Sequence, residues 1–383
     1  MNYLVSRISI KGFRRLLDVD LPVGPLTVLI GANGVGKTSI LEAWDLLAAS
    51  AANKLNDTAM ELGGVANLVT RGKTRSFSLT VALNVDGHQP LDYHLQIAAN
   101  GADYRIEEET LSQKHKGHAE PLFHIKSRDG QIAYYDAGKK KLLPPSWEHN
   151  VHETSLAQVP NLYRESEALR RILSSVVHYH TLAVENNSPV KLPQAMRPAQ
   201  NPGHNGENLV PFLYYLRETD KQRFECVVDA MRVIFPNLED LSFPPVAAGM
   251  LSIAWKDRNY ELPFYAHELS EGTLRFLWLV SLLQSPTLPP VTLIDEPEVS
   301  LHPEALRLLA DLFREAAQRT RLLVATHSDR LVRCLRPDEI AVVDTNDDGY
   351  ATITKGDQMD LKHWLRDYGL DELWQMGVLG GRI

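Results

Sequence analysis

Residues 27–39 read TVLIGANGVGKTS, in which a short apolar run is followed by three glycines and then by a lysine and two hydroxyl residues. The spacing Gly-x-x-x-x-Gly-Lys-Thr, from Gly31 to Thr38, is that of a P-loop, whose backbone N–H groups surround phosphate groups. We expect a strand at Leu26–Ile30 before the loop and a helix from Thr38 to about Leu47 after it, whose N-terminus favours an anion. The stretch therefore predicts a nucleotide-binding site rather than a glycine-rich turn without a ligand.

The residue types of this loop predict separate roles in binding a nucleotide and its Mg²⁺ ion. Lys37 would reach the outer phosphates, and the hydroxyl of Thr38 would enter the coordination shell of Mg²⁺. The residues that we expect to contact the nucleotide are Gly31, Asn33, Gly34, Val35, Gly36, Lys37, Thr38 and Ser39.

A second motif, VTLIDEPEVSLHP at residues 291–303, begins with four residues that suit a strand buried on both faces. Asp295 would hold the Mg²⁺ shell, directly or through water, and Glu296 would orient and deprotonate an attacking water. The alternative interpretation is that both acids are solvated residues at the start of a helix. This interpretation is weaker here, because the acids follow an apolar strand in a chain that already has a P-loop.

A third apolar run, in RLLVATHSDRL at residues 321–331, ends in Thr326 and His327 and is followed by residues that begin helices. We expect His327 to lie beside the γ-phosphate and to sense it. Three strands that end in the P-loop, the acid pair and this histidine would place the chemistry on one edge of the sheet, where open α/β sheets bind ligands.

The segment HELSEGTLRFLWLVSLL at residues 267–283 has two interpretations. In the first, Ser270 is the N-cap of an ordinary core helix, with Glu271 in its first turn. In the second, Ser270 and Gly272 form another phosphate site at the helix N-terminus. Because the P-loop already holds the phosphates of its own nucleotide, that site would serve the nucleotide of another subunit.

The segments GANGVGKTS, LSEGTLR, LIDEPEVSLHP and ATHSDRL, in this order, resemble the ABC-type ATPase heads of the SMC, RecF and OLD families. The whole chain, from KGFRR to DLKHWLRDYGLDELWQMGVLGGR, resembles the compact AAA-type ATPases of bacteria, several relatives of which serve in anti-phage defence or DNA maintenance. The resemblance implies Mg²⁺-dependent ATP hydrolysis between two heads that sandwich two ATP molecules. Ser270 and Gly272 would then act in trans, opposite Lys37, Thr38, Asp295, Glu296 and His327.

The chain departs from this pattern at three places. LSEG replaces one glycine of the usual LSGG by Glu271, and His302 stands where transporter-type heads carry an aspartate. The Q-loop glutamine of such heads is not evident, and Gln96 and Gln113 are candidates by position alone.

These motifs predict an α/β P-loop NTPase with an ABC/SMC-type head, built from a mixed parallel sheet, an antiparallel β subdomain and a helical insertion. Alternating runs between residues 76 and 135 favour the antiparallel sheet, and residues 138–150 suggest a loop. We expect an exposed helical insertion with a Pro-rich loop at 188–206 that proteases can cut and that partners use. The predicted domains are an N-terminal ATPase lobe (1–136), the insertion (137–250), a C-terminal ATPase lobe (251–345) and a tail (346–383).

The composition suits a globular protein in a reducing cytoplasm. The 383 residues are 44% hydrophobic and 23% charged, and they include two cysteines, too few for a disulfide framework. The N-terminus has no long apolar region typical of a signal peptide, and no apolar stretch is long enough to span a bilayer. The net charge of −8 disfavours a uniformly basic nucleic-acid binder, although it permits a local basic patch.

Three functional classes fit these motifs to different degrees. The leading hypothesis is an ATP-driven switch in which ATP closes a homodimer or higher homo-oligomer and hydrolysis opens it, so that a partner protein or DNA is controlled. The alternative is a nucleic-acid-binding protein with incidental ATPase activity, whose basic residues would contact phosphates. These residues are Arg7, Lys11, Arg14, Arg15 and the lysines at 139–141. A membrane transport ATPase is disfavoured by the SLHP, THS and KGFRR segments.

Two weaker signals concern metal chemistry. VVDTNDDG at residues 342–349 resembles an acidic metal motif, but we expect a strand and a turn there. The nuclease domain of OLD proteins is not evident, so we expect no nuclease activity. The pairs His115/His118 and His178/His180 have no cysteine or carboxylate at ligand spacing, so we expect a solvated loop and an alternating strand rather than metal sites.

Overall fold

The computed structural model describes residues 3–101, 103–114, 120–160, 163–361 and 363–380, and the predicted pair His115/His118 lies outside these ranges. The strands are β1 (Tyr3–Phe13), β2 (Leu16–Pro22), β3 (Leu26–Ile30), β4 (Ser76–Val85), β5 (Leu91–Asn100), β6 (Asp103–Gln113), β7 (Leu122–Arg128), β8 (Gln131–Asp136), β9 (Lys141–Leu143), β10 (Val177–Tyr179), β11 (Gln194–Ala195), β12 (Leu238–Ser242), β13 (Pro245–Ala247), β14 (Met250–Leu251), β15 (Ala254–Asp257), β16 (Phe264–Tyr265), β17 (Val291–Asp295), β18 (Arg321–Thr326), β19 (Ile340–Thr345) and β20 (Ala351–Lys355). The helices are α1 (Lys37–Ala51), α2 (Leu55–Glu61), α3 (Val65–Leu68), α4 (Ser155–Gln158), α5 (Arg164–Ser174), α6 (Leu209–Thr219), α7 (Lys221–Ile234), α8 (Glu271–Leu283), α9 (Pro303–Ala316), α10 (Asp329–Val332) and α11 (Leu370–Gln375). None of the helices within these ranges combines the length and the apolar character needed to cross a bilayer.

The strand before the P-loop lies inside a parallel sheet with the order β10-β17-β18-β3-β19-β20. Strands β17, β18 and β3 run parallel to one another, while β20 returns antiparallel to β19. Every residue of β3 is buried, because both faces of this sheet are covered. The predicted strand Leu26–Ile30 is confirmed, and the helix that follows the loop extends from Lys37 to Ala51.

The side chains of β3 alternate between two hydrophobic clusters, one on each face of the parallel sheet. Val28 and Ile30 belong to the cluster that includes α6 to α9, and Leu29 belongs to the cluster around α1. The second cluster also contains the inward face of an antiparallel sheet with the order β2-β1-β4-β5-β6-β7-β8-β9. Trp44 of α1 is fully buried in it, so α1 joins the two sheets and the P-loop is supported from behind.

The segment 137–250, which we expected to be a helical insertion, contributes strands to both sheets. The expected loop at 138–150 contains β9, which extends the antiparallel sheet by pairing with β8. Strand β10 pairs in parallel with β17, with His178 opposite Leu293, so this segment supplies the edge strand of the central sheet. The insertion thus contains strands as well as the helices α4 to α7, and the division of the chain into four domains stays a prediction.

The Pro-rich loop at 188–206, which we expected to be exposed, is anchored to the core. Val190 is fully buried, and the indole N–H of Trp278 donates to the carbonyl of Gly203 at 2.8 Å. The buried amide of Gln194 donates to the carbonyls of Pro189 (2.9 Å) and Gly206 (2.6 Å). The loop is exposed in part, as at Met196 (60%), and buried side chains anchor the rest of it, so its cleavage by proteases stays a prediction.

Replacing Gln194 by alanine should destabilise the fold and release this loop. The substitution leaves two carbonyls and the N–H of Val210, which donates to the Gln194 side chain at 3.0 Å, without their partners. At about 1–3 kcal/mol for each unsatisfied buried group, we expect a loss of at least ~2 kcal/mol in the free energy of unfolding. Urea denaturation and limited proteolysis measure both effects. Met196→Ala is the matched control, because Met196 is 60% exposed in the same loop, and equal cleavage of both variants would contradict the anchoring role of Gln194.

Candidate nucleotide-binding site

The P-loop is held by its own lysine in this structure. The Nζ atom of Lys37 donates to the carbonyls of Gly31 (2.7 Å) and Ala32 (2.9 Å). Gly31 has a φ of +154°, and a Cβ atom there would lie 2.2 Å from the carbonyl oxygen of Val343, so only glycine fits. Burial lowers the pKa of Lys37, and the nearby acids, Asp295 first among them, oppose that shift. The lysine is therefore fixed at the base of the loop.

A cleft of about 780 Å³ opens in front of the loop, a volume within the usual range for sites of small ligands. Its lining includes the P-loop residues, the acid pair and basic or aromatic residues from the N-terminal hairpin and the β19–β20 hairpin. These residues include Asn33, Gly34, Gly36, Lys37, Thr38, Ser39, Asp295, Glu296, Arg14, Arg15, Arg71 and Tyr350. Gly31 and Val35, which we also expected to contact the nucleotide, are outside the described lining of the cleft: the carbonyl of Gly31 accepts from Lys37, and the side chain of Val35 is buried in the core.

Thr38 and Asp295 meet across the end of the parallel sheet. The hydroxyl of Thr38 donates to Oδ2 of Asp295 at 3.4 Å, although 257 positions separate the two residues. Burial raises the pKa of Asp295, and the charge of Glu296 adds to that shift, whereas His178, Thr38 and Lys37 oppose it. A hydroxyl and a carboxylate oxygen are ligands that suit Mg²⁺, so this pair fits the predicted metal position.

Glu296 and His327 are in contact, because they directly follow the paired strands β17 and β18. Nδ1 of His327 lies 3.2 Å from Oε1 of Glu296, and both side chains are partly exposed to the cleft side of the sheet. Glu296 has a φ of +48°, a left-handed conformation that is uncommon for a residue with a side chain. That turn directs the chain away from β17 immediately after Asp295. The arrangement pairs a carboxylate with an imidazole at the position where we expected the attacking water and the γ-phosphate.

Glu298 also belongs to this constellation, and the motif analysis did not assign it a role. Its Oε1 atom accepts hydrogen bonds from the Thr326 hydroxyl (2.6 Å) and from the backbone N–H of His327 (3.2 Å). Burial raises the pKa of Glu298, and within the described residues its Oε2 atom is buried without a hydrogen-bond partner. The Glu298 carboxylate thus fixes the end of β18. In the sequence, the position of Glu298 two residues after Glu296 was the signal that could have assigned it to the site.

The pair His178/His180, which has no carboxylate at ligand spacing in the sequence, lies next to Asp295 in the fold. The strand prediction itself is confirmed by β10. One ligating atom from each of His178, His180 and Asp295 lies within 4.8 Å of the others. The sequence spacing missed this cluster, because the parallel pairing of β10 with β17 creates it.

The two glutamines suggested for the Q-loop are engaged in the antiparallel sheet. The amide of Gln96 donates to Ser76 and Glu107, and that of Gln113 donates to the carbonyl of Gln89. In the central sheet, β10 lies next to β17, which ends in Asp295. His180 is the first residue after β10.

Ser270 begins helix α8 as its N-cap, as the first interpretation predicted. Its Oγ atom accepts a hydrogen bond from the N–H of Thr273 at 3.2 Å. A Cβ atom on Gly272 would lie 2.5 Å from the carbonyl oxygen of Ser300, and the Ser300 hydroxyl donates to Glu271 at 2.7 Å. Close packing within one chain thus accounts for the glycine. Ser270 and Gly272 lie outside the described lining of the cleft, so their action on the nucleotide of another subunit stays a prediction.

Residues 26–333 match the family model described as "AAA domain, putative AbiEii toxin, Type IV TA system". The chain belongs to this family. The match contains the P-loop, the acid pair and His327, so the motifs that we placed on one sheet edge all lie inside the family's domain.

Two curated proteins are similar to this chain over different lengths of it. The chain is 25% identical to an OLD nuclease of Thermus scotoductus over an alignment of 369 residues, which covers 88% of this chain and 64% of that protein. It therefore spans less than two thirds of the length of that relative. A segment of 56 residues is 39% identical to the DNA replication and repair protein RecF of Paenarthrobacter aurescens, which covers 14% of each chain.

Solved structures of SMC heads share the fold. An SMC head bound to the C-terminal winged-helix domain of ScpA superimposes with a TM-score of 0.55 at 16% identity, covering 92% of this chain and 97% of that one. The SMC head domain with an extended coiled coil, bound to the C-terminal domain of ScpA derived from Pyrococcus furiosus, gives a TM-score of 0.54 at 14% identity, with coverage of 95% and 98%. The predicted fold class, a P-loop NTPase with an ABC/SMC-type head, is confirmed.

The burial of Glu298 predicts a distinctive dependence of stability on pH. Its pKa in the folded protein is raised above the ordinary value of 4.5, so the folded state holds the proton longer than the unfolded state does. The contribution of this carboxyl to stability is therefore lost as pH rises from about 4.5 through the folded pKa. Glu298→Gln cannot ionise, so its melting temperature should rise relative to that of the natural protein across this window. Thermal melts from acidic to neutral pH test this, with the exposed Glu304→Gln as control; a constant difference at every pH would refute the assignment.

Proposed function

We propose that the protein binds ATP with Mg²⁺ in this cleft, hydrolyses it, and uses the cycle as a switch that closes and opens a head-to-head homodimer. The observation that carries the proposal is the convergence of three motifs on one sheet edge. Thr38 meets Asp295 at 3.4 Å, and Glu296 meets His327 at 3.2 Å, beside a lysine that anchors the P-loop.

Each of these groups has a distinct task in the proposed reaction. The P-loop N–H groups and Lys37 bind the phosphates, and Thr38 and Asp295 would hold Mg²⁺, which neutralises charge on the phosphate oxygens. Glu296 accepts a proton from the attacking water, and His327 lies where it can contact the γ-phosphate. Glu298 positions His327 by accepting its backbone N–H.

The signature segment supports the dimer part of the proposal. Ser270 is exposed at the N-terminus of α8 and lies outside the described lining of the cleft of its own chain. A helix N-terminus is a favourable site for an anion, so Ser270 and Gly272 suit the γ-phosphate held by a second copy. In this model ATP closes the dimer, because it supplies a contact that ADP lacks.

We further propose that the switch controls a partner protein, in the cytoplasm, in defence against phages or in DNA repair. Support comes from the relatives, which include an OLD nuclease, a RecF protein and SMC heads solved with ScpA domains. DNA binding has less support from the N-terminal basic residues, because several are paired with acids. Lys11 lies 3.3 Å from Asp18, and Arg14 lies 2.9 Å from Glu42.

Glu296→Gln should abolish turnover while leaving ATP binding intact. The amide keeps the shape of the side chain but cannot accept the proton, so the rate of phosphate release should fall by roughly two to four orders of magnitude. Lys37→Ala is the contrasting variant, because it should weaken nucleotide binding itself, as measured by titration with a fluorescent ATP analogue. Unchanged phosphate release in the Glu296→Gln variant would exclude Glu296 as the base.

Ser270→Arg tests the composite site between two subunits. The variant should bind ATP in cis but hydrolyse none, because the added bulk and charge occupy the position of the partner's γ-phosphate. Mixing it with Lys37→Ala should restore about one working site per heterodimer, since both defects then fall on the same site. Sedimentation with ATP and with ADP, together with turnover of the mixture, gives the readout. Normal hydrolysis by Ser270→Arg alone would show that α8 is only a core helix.

A further inference from the structure

A buried nitrogen without a partner lies beside the nucleotide cleft. The side chain of His178 is 3% exposed, and its Nε2 atom has no hydrogen-bond partner among the described residues. A buried polar atom in this state costs free energy unless a ligand satisfies it. Nε2 is therefore available to bind a ligand.

The other ring nitrogen of His178 is fixed by Asp45. Nδ1 lies 2.8 Å from Oδ2 of Asp45, a residue of α1 that is 133 positions away in the chain. Since a carboxylate accepts the proton of Nδ1–H, the lone pair of the neutral ring is left on Nε2. A carboxylate that orients an imidazole in this way is the usual outer partner of a metal-binding histidine.

Two further ligand groups lie close to the His178 ring. One ring nitrogen of His180 and one carboxylate oxygen of Asp295 lie within 4.8 Å of a His178 ring nitrogen and of each other. The rings of His178 and His180 are 3.9 Å apart between centroids, with an interplanar angle of 44°. We propose that His178, His180 and Asp295 bind a divalent transition-metal ion of the Zn²⁺ class. The site follows from the geometry of the nucleotide-free chain and does not depend on the proposed ATPase cycle.

The donor set selects this class of ion over Mg²⁺. Imidazole nitrogen suits Zn²⁺, Co²⁺ and Ni²⁺, whereas Mg²⁺ favours oxygen ligands and keeps several waters. Zinc bound tetrahedrally at about 2.1 Å separates its ligand atoms by about 3.4 Å. The three ligand atoms lie within 4.8 Å of one another, so binding of the ion requires them to approach more closely. Three protein ligands leave one coordination position of the ion open. Because Asp295 is also the residue proposed to hold Mg²⁺, a transition metal bound at this site engages the carboxylate that the proposed ATP cycle uses.

Binding of Co²⁺ to the untagged, metal-free and nucleotide-free protein tests the proposal. We expect one ion per chain, with visible absorption bands of cobalt bound to imidazole, and displacement of the cobalt by Zn²⁺. His180→Ala should weaken binding at least 10-fold, and Asp45→Asn should weaken it about 10- to 100-fold through the orientation of His178. His152→Ala is the matched control, because this imidazole is half exposed in another part of the chain.

The outcomes separate this site from the proposed ATPase. Lys37→Ala should lose nucleotide binding but retain cobalt binding, since Lys37 is not a ligand of the transition metal. Cobalt affinity that is unchanged in His180→Ala, or the absence of stoichiometric binding in the natural protein, would overturn the metal site and leave the ATPase proposal standing. Circular dichroism of each variant confirms that a loss of binding does not reflect a loss of fold.

Discussion

The register of three parallel strands determines every distance in the candidate site. Asp295 lies opposite Ala325, and Thr326 lies opposite Ile30, so the ends of β17, β18 and β3 coincide at one edge. A slip by one residue would turn each side chain to the other face of the sheet and separate the acid pair from the P-loop. The bond from Thr326 to Glu298 spans two of these strands at their ends. The apolar runs thus hold the three strand ends together at the edge that carries the chemistry.

Local motifs made most of the catalytic edge predictable, whereas contacts between distant segments escaped the sequence. The P-loop and the acid pair each consist of residues close together in the sequence, so their spacing predicts their geometry. The apolar runs predict the central strands. His178 and Asp45 meet only because β10 and α1 both pack beside β17, and no spacing within either segment signals this. The anchored loop around Gln194 escaped for a related reason, since the spacing of residues does not signal the side-chain hydrogen bonds of Gln194 to Pro189 and Gly206.

Burial of the charged groups at the site lowers the stability of the fold. Burial raises the pKa of Asp295 and Glu298 and lowers that of Lys37, so each of these groups is less easily charged here than in water. The Oε2 atom of Glu298 and the Nε2 atom of His178 are buried and have no hydrogen-bond partner among the described residues. An apolar core would avoid these costs. Their presence at the one sheet edge where the motifs converge fits a pocket whose ligands are cationic metals and a polyanionic nucleotide.

The departure from LSGG to LSEG has a structural consequence that links the two ends of the proposed cycle. The carboxylate of Glu271 accepts the Ser300 hydroxyl at 2.7 Å and pairs with Arg275, while Gly272 lies against the Ser300 carbonyl. Ser300 is four residues after Glu296, and both have positive φ values, so the intervening loop is a tight turn rather than a slack linker. Glu271, the residue that departs from the glycine-rich signature, is therefore hydrogen-bonded to the turn that begins at the acid pair.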